Sequence, residues 1–241
     1  MEVMQLKVTG IIAAGGSGTR LGAAGGKQLL EVAGRPIAAW SLDALAQAEL
    51  IDEIIVVCDP DRVEEYAQSI GDAATTDKPL SFVAGGETRK QSVMAGLIAA
   101  KPGIVAIHDG ARPLLEAAYV DKAVQRLIDS DVDGVVVGIP VVDTLKRVSV
   151  DSTSDCVRVS NSPDRSSYWQ AQTPQIFWRE QLICAYQRAD ALDYKGTDDA
   201  SYVEQRGGKV VLAQGSRSNI KITRPEDVDL IEAVLEKAVN K

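Results

Sequence analysis

Apolar, β-branched runs alternate with amphipathic helical periods through most of the chain, and this alternation restricts the possible folds more than any other feature. Residues 7–13 (KVTGIIA) read as a first strand, continuously apolar as a strand covered on both faces must be. Residues 53–58 (EIIVVC), 80–84, 104–108 and 134–139 (GVVVGI) repeat the theme, with helical periods at 36–49, 62–70, 89–100 and 117–130 between them. Thr88 with Gln91 has the spacing of a capping box ahead of an apolar periodic run. Thr223 with Glu226 has the same spacing and opens a last helix with Val228, Ile231 and Leu235 on one face. Strands alternating with helices imply right-handed βαβ units and a largely parallel sheet with helices on both sides, an α/β architecture of three layers. Ligands of such sheets bind beyond the carboxyl ends of the strands, so the loops after Ala13, Ala84 and His108 are expected to face one site.

The pattern breaks at about 142–173. Short β-like pieces (145–150, 156–160 and 168–171) are joined by polar links such as Asp151-Ser152-Thr153-Ser154-Asp155, without a long helical period. This segment reads as an antiparallel arm too small to own a core, and a second subunit is the expected cover. The 241-residue chain reads as one domain, with no internal repeats and no low-complexity tail.

Composition excludes several classes of function. The chain carries 26 Lys+Arg against 34 Asp+Glu, a net charge of −8, which argues against a broad basic face for nucleic acid. A small anionic ligand needs only a few cations placed locally. No apolar run reaches the ~18–20 residues that span a bilayer. The N-terminal residues lack a basic stretch followed by an apolar signal segment, and the three cysteines, Cys58, Cys156 and Cys184, include no Cys-x-x-Cys pair. The expectation is a cytoplasmic protein with free thiols, no membrane partner and neither disulfide framework nor zinc site.

After the first strand comes Ala13-Ala14-Gly15-Gly16-Ser17-Gly18-Thr19-Arg20-Leu21-Gly22, then Lys27-Gln28. Glycines behind a buried strand let backbone N–H groups approach an anion, which suits a polyphosphate. Two familiar loops fail on spacing. A Walker A loop needs Ser or Thr after Gly26-Lys27, where Gln28 stands, and a glycine where Leu21 stands. A dinucleotide fingerprint starting at Gly16 has Leu21 in place of its third glycine, and Asp59 lies too far on to be its acidic partner. What remains is a glycine loop with two cations: Arg20 offers a planar fork to phosphate oxygens, and Lys27 a mobile point charge.

This loop resembles that of the nucleotidyltransferase (pyrophosphorylase) fold, Ala-Gly-Gly-x-Gly-Thr-Arg-Leu followed by a Lys. Six further segments narrow the likeness: Gly85-Gly86-Glu87-Thr88-Arg89-Lys90-Gln91-Ser92-Val93, His108-Asp109-Gly110-Ala111-Arg112-Pro113, Asp143-Thr144-Leu145-Lys146-Arg147, Gln172-Thr173-Pro174-Gln175, Thr197-Asp198-Asp199-Ala200-Ser201 and Asn219-Ile220-Lys221-Ile222-Thr223-Arg224-Pro225-Glu226-Asp227. In that order and over nearly the whole chain they are similar to the 2-C-methyl-D-erythritol 4-phosphate (MEP) cytidylyltransferase family. The resemblance implies a Rossmann-like three-layer α/β/α nucleotidyltransferase fold with a mostly parallel sheet and a projecting β-arm. Gly26 stands where the family commonly has Pro, which implies a more mobile empty loop; Glu87 stands where it commonly has Asp.

The implied reaction joins CTP and MEP to give 4-diphosphocytidyl-2-C-methyl-D-erythritol and pyrophosphate, with Mg²⁺ held mainly by phosphate oxygens and no assignable protein ligand. By analogy, Ala13, Ala14, Gly15, Gly16, Gly18, Thr19, Arg20, Lys27, Gly86, Glu87, Arg89, Ser92 and Ala111 form the CTP site. Asp109, Arg112, Thr144, Arg165, Thr173, Thr197 and Lys221 form the MEP site, with Arg20, Lys27, Arg165 and Lys221 as the catalytic cations. Arg165 lies in the arm and is expected to reach a partner's site in a homodimer. His108 reads as a buried, hydrogen-bonded residue, Trp40 as core, and Trp169 as an interface residue. Alternatives are a ribitol 5-phosphate cytidylyltransferase, differing in the polyol pocket, or a non-catalytic CTP-binding module; an NAD(P)-dependent oxidoreductase is disfavoured by the failed fingerprint.

Overall fold

The computed structural model of the chain describes residues 6–16, 26–150 and 157–239. β1 (Lys7–Ala13) is followed by a small ladder of β2 (Glu31–Val32) with β3 (Arg35–Pro36), then α1 (Ile37–Ala46). β4 (Glu53–Cys58), α2 (Val63–Gly71), β5 (Leu80–Ala84), α3 (Arg89–Ala99), β6 (Gly103–Asp109), α4 (Ala117–Asp129) and β7 (Gly134–Pro140) continue the alternation. β8 (Arg147–Val150) and β9 (Val157–Asn161) form a separate antiparallel hairpin. β10 (Trp169–Trp178), α5 (Arg179–Ala191), α6 (Asp199–Gln205), β11 (Val210–Gln214) and α7 (Pro225–Val239) complete the chain.

Among the described residues the central sheet has seven strands in the order β11-β7-β10-β6-β1-β4-β5. All pairings are parallel except those of β10, which runs antiparallel between β6 and β7. Successive residues of a strand face opposite sides. Ile12 therefore packs with Leu42, Tyr66 and Val124 of α1, α2 and α4, whereas Ile11 packs with Val93, Leu97, Tyr186 and Val203 of α3, α5 and α6. Each such isoleucine, fully removed from water, contributes roughly 1.5–3 kcal/mol. In α4, Val120, Ala123, Val124 and Leu127 are buried at helical spacing. A smaller cluster of Val32, Ile37, Ala111, Ile222, Ile231 and Leu235 seats α7 beside the β2–β3 ladder. No helix among the described residues is long and apolar enough to cross a membrane.

Three details depart from the sequence reading. The helix expected over 36–49 spans Ile37–Ala46, because Pro36 is extended (ψ 136°) and the Asp121 carboxylate captures the Glu49 and Leu50 N–H groups at 3.1 and 2.9 Å. At the last helix the carboxylate that folds back is Asp227, not Glu226: it accepts from the Thr223 N–H (2.7 Å), the Thr223 hydroxyl (2.9 Å) and the Arg224 N–H (2.8 Å). Pro225 opens that helix, so Asp227 is its third residue. The piece at 168–171, read as part of the arm, instead begins β10 in the central sheet. Its register shifts between Ala171 and Gln175, around Pro174, which has no N–H for the ladder, and this break hides the strand's period in the sequence.

Candidate active site

The chain runs from β1 to β4 and β5 on one side of the sheet, then crosses back to β6 on the other. Ligands of open α/β sheets sit at such a switch point. A cavity of about 310 Å³ opens there, lined by residues from the loops after β1, β5 and β6 and from the segment before α7. The three loops named from the sequence do face one site.

Each loop is fixed by backbone demand. After β1, the Ala14 N–H donates to Val57 O (2.8 Å) and the Gly110 N–H to Ala13 O (3.1 Å), tying the glycine loop to both neighbouring strands. Ala13, Gly15 and Gly16 line the cavity, while Ala14 is fully buried beneath it. With its amide nitrogen facing them, the buried Gln28 donates to Gly16 O (2.9 Å) and Ala14 O (3.2 Å), a contact sequence reasoning missed although Gln28 directly follows Lys27 in the motif. Gly18, Thr19 and Arg20 lie outside the described residues. Lys27 lines the cavity in a short turn after Gly26, whose φ is +81°, and its ammonium donates to Ile222 O at 3.3 Å.

After β5, the Gly85 N–H continues the sheet by donating to Cys58 O at 2.8 Å. A Cβ at Gly85 would lie 2.8 Å from both Cys58 O and Ser92 Oγ, so only glycine lets this turn close. The Ser92 hydroxyl accepts from the Gly86 N–H (3.1 Å) and donates to Gly86 O (3.2 Å). Thr88 and Gln91 form the expected capping box at the start of α3. Gly86, Glu87, Arg89 and Ser92 all line the cavity.

After β6, Asp109 is the electrostatic centre. Its carboxylate lies 2.8 Å from Lys221 Nζ, 3.4 Å from Arg112 Nε and 3.6 Å from Arg89 Nη2. Burial pushes its carboxyl up, but Lys221, Arg89 and Arg112 together hold it well below the usual carboxylate range. The 219–222 segment is brought there by Ile222 N–H donating to Ala111 O (2.9 Å) and Arg112 Nη1 donating to Asn219 O (2.8 Å).

His108 is fully buried, as expected. Its Nε2 faces Arg112 O at 3.1 Å, an acceptor, so Nε2 carries the proton and Nδ1 accepts from the Thr173 hydroxyl at 2.9 Å. The same hydroxyl accepts from the Asp109 N–H at 3.0 Å. Both ring nitrogens are thus committed, and burial pushes the imidazole down to about 4, so the ring is neutral at pH 7. Thr173, 4% exposed, thus holds Asp109 in place from beneath.

Asp109, Arg89, Lys27, Lys221 and Ala111 line the cavity, with the half-buried Arg112 against Asp109. Thr144, Arg165 and Thr197 do not line it; Arg165 donates to Val142 O. Trp40 is half-buried, with the Arg35 guanidinium 4.3 Å from its ring centroid, and Trp169 is 38% exposed. Unforeseen was Asp199, fully buried and 2.6 Å from Arg89 Nη1; its only sequence signal was a place in the Thr197-Asp198-Asp199 motif.

A glycine loop and a surplus of cations over carboxylates at the switch point of a mostly parallel sheet define an α/β nucleotidyltransferase. The comparisons with known proteins narrow the class. Residues 8–237 match the profile of IspD, 2-C-methyl-D-erythritol 4-phosphate cytidylyltransferase, and the chain belongs to that family. It is 40% identical over 227 residues to the protein of that name from Parasynechococcus marenigrum (strain WH8102), covering 93% of this chain and 96% of the relative. It is similar in structure to the 4-diphosphocytidyl-2C-methyl-D-erythritol synthase of Anaerococcus prevotii DSM 20548, with TM-score 0.81, 30% identity and 96% of each chain covered. The 2-C-methyl-D-erythritol 4-phosphate cytidylyltransferase of Thermus thermophilus gives TM-score 0.72 at 27% identity, covering 94% of this chain and 98% of the other.

Proposed function

We propose that the chain transfers the cytidylyl group of CTP to MEP in the cavity between the β1, β5 and β6 loops, releasing pyrophosphate. The observation that carries this reading is Asp109 ringed by Lys221, Arg112 and Arg89 beside the glycine loop and Lys27. Such a cluster suits two phosphate-bearing substrates held side by side.

The phosphate oxygen of MEP attacks the α-phosphorus of CTP in line; a new P–O bond forms, the α–β bridging bond breaks, and pyrophosphate leaves. A phosphate monoester has its second pKa near ~6, so the nucleophile is largely ionised at neutral pH and needs no strong base. This agrees with a site whose histidine is neutral and fully hydrogen-bonded. The protein's work is positioning and charge stabilisation. Lys27 and Arg20 act on the triphosphate and the leaving pyrophosphate; Lys221 and Arg112 hold the MEP phosphate; Gly86, Glu87 and Ser92 frame the base and ribose.

The donor set fits Mg²⁺ carried on the triphosphate. Among the described residues no group of three metal-ligating side chains occurs, and Asp109 and Glu87 are the carboxylates lining the cavity. Bound there with the triphosphate, Mg²⁺ would draw off phosphate charge, and Asp109 and Glu87 are the side chains that would hold it.

We read the 241 residues as one domain acting in the cytoplasm as a homodimer through the β8–β9 arm. Val148 and Val159 are cross-strand partners and Val157 shares their face; they are 45%, 52% and 58% exposed. A lone two-stranded hairpin is at best marginally stable in water, which supports a cover from a second copy. Thr144 and Arg165, which flank that hairpin in the chain, would complete the partner's MEP site.

The test is pyrophosphate release with Mg²⁺ and CTP, offering MEP and ribitol 5-phosphate in parallel. Release with MEP alone is expected. Release with ribitol 5-phosphate alone would overturn the polyol assignment, and silence with both would overturn the enzymatic reading.

A further inference from the structure

Arg89 is the first residue of α3, at the positive end of the helix dipole, where a cation is disfavoured. It is held there by a buried carboxylate from a distant element. Asp199 Oδ1 accepts from Arg89 Nη1 at 2.6 Å and from the Tyr186 hydroxyl at 2.5 Å, while its Oδ2 is buried without a hydrogen-bond partner among the described residues. The fold does not use this carboxylate as a cap. Asp198 caps α6 by accepting from the Ser201 N–H at 2.9 Å, and Gln175 of β10 ties that helix start down through Asp198 Oδ2 (2.8 Å) and the Ala200 N–H (3.0 Å). Burying a charge with one oxygen unsatisfied is costly. The Tyr186 hydroxyl, pushed well above its ordinary value first by burial and then by Asp199's charge, stays a donor.

We propose that Asp199, oriented by Tyr186, is a positioning residue that holds the Arg89 guanidinium at the mouth of the nucleotide cavity, 3.6 Å from Asp109 rather than collapsed onto it. Without that anchor Arg89 has Asp109 as its remaining carboxylate and moves away from CTP. The inference rests on reading Arg89 as a nucleotide contact.

Steady-state kinetics of the full chain with Asp199→Asn, Tyr186→Phe, Arg89→Ala and Asp199→Asn/Arg89→Ala test it. Asp199→Asn is expected to raise KM for CTP about tenfold, with kcat falling less than about threefold and KM for MEP moving less than about twofold, the scale of one charged hydrogen bond. Tyr186→Phe is expected to move KM for CTP the same way by about threefold, the scale of one neutral donor lost. In the Arg89→Ala background Asp199→Asn should add nothing. Unchanged KM for CTP in Asp199→Asn and Tyr186→Phe, with a raised value in Arg89→Ala, would overturn the positioning role and leave the nucleotide contact standing. An unchanged KM in Arg89→Ala would remove the nucleotide contact itself. Should Asp199→Asn lose its thermal transition, Tyr186→Phe, alone and combined with Arg89→Ala, decides on the same terms.

Discussion

The Lys221 ammonium lies 2.8 Å from Asp109 Oδ2, and the Arg112 Nε approaches the same oxygen at 3.4 Å. Asp109 is 7% exposed, so this is a carboxylate kept charged in the interior by the cations it faces. It holds those cations in one place without a substrate, which in the proposed reaction leaves them gathered for an incoming phosphate. Preorganisation of this kind costs no rearrangement when charge develops.

In the proposed reaction Lys221 is a charge-assisted partner of the MEP phosphate. Lys221→Ala is expected to lower kcat/KM for MEP about 10²-fold, equivalent to roughly 3 kcal/mol. Initial rates at varied MEP and saturating CTP measure this. A variant within threefold of wild type would remove Lys221 from the phosphate site.

Lys27 and Arg20 are assigned to charge developing on the triphosphate. Lys27→Ala and Arg20→Ala are each expected to lower kcat by ~10²–10³, about 3–4 kcal/mol, with smaller changes in KM for CTP. Single-turnover measurement of pyrophosphate formation separates this from product release. Near-normal kcat in both variants would refute the stabilising roles.

His108 predicts a pH dependence of stability. Its folded value, about 4, lies below the ordinary 6.5, so the unfolded chain takes up the proton first as pH falls. The stabilisation is fully present above pH 6.5 and is lost progressively towards pH 4, where the loss amounts to about 3 kcal/mol. Urea unfolding of wild type and His108→Gln at pH 4.5 and pH 7 should show the steeper pH dependence in wild type. Parallel curves would mean that the imidazole is not buried neutral.

Gly26 adopts φ +81°, and a Cβ there would lie 2.7 Å from the Tyr66 hydroxyl. Gly26→Ala is expected to cost about 1–2 kcal/mol from the backbone alone and to displace Lys27, its neighbour. Gly26→Pro, which carries the residue common in the family, is expected to be worse here because proline holds φ near −65°. Thermal unfolding with kcat for both variants checks this; a stabilised Gly26→Pro would show that the loop prefers another conformation.

The arm makes a prediction that separates a shared site from a self-contained one. Val159→Asp is expected to yield monomers by light scattering. If Arg165 serves the partner's site, mixing and re-equilibrating inactive Arg165→Ala and Lys221→Ala subunits should restore about a quarter of the sites, since half the dimers are mixed and one site in each is intact. No recovery would place Arg165 within its own subunit's site, and an Arg165→Ala variant that stays active before mixing would place it outside the site altogether.

Much of this protein was legible in its sequence. Strands β1, β4 and β5 begin and end where their apolar runs do, and the Thr88–Gln91 capping box formed at the start of α3. The convergence of the loops after Ala13, Ala84 and His108 followed from the rule for parallel sheets. Less legible were features set by distant partners. Asp121 ends α1 from another helix, Asp227 replaces Glu226 as the capping carboxylate because the helix starts at Pro225, and β10 enters the central sheet with a register shift that breaks its period.

By itself the sequence determined the α/β class and the glycine loop, because periodicity, capping and turn chemistry act over a few residues, while most of the residues around the cavity followed from the resemblance of its motifs to the family. The tertiary structure alone decided how the charges are shared: Lys221 to Asp109, Arg89 between Asp109 and Asp199, and Thr173 bridging His108 to the Asp109 backbone. Those pairings join segments far apart in the chain, and only the stacking of the strands brings them within hydrogen-bonding distance.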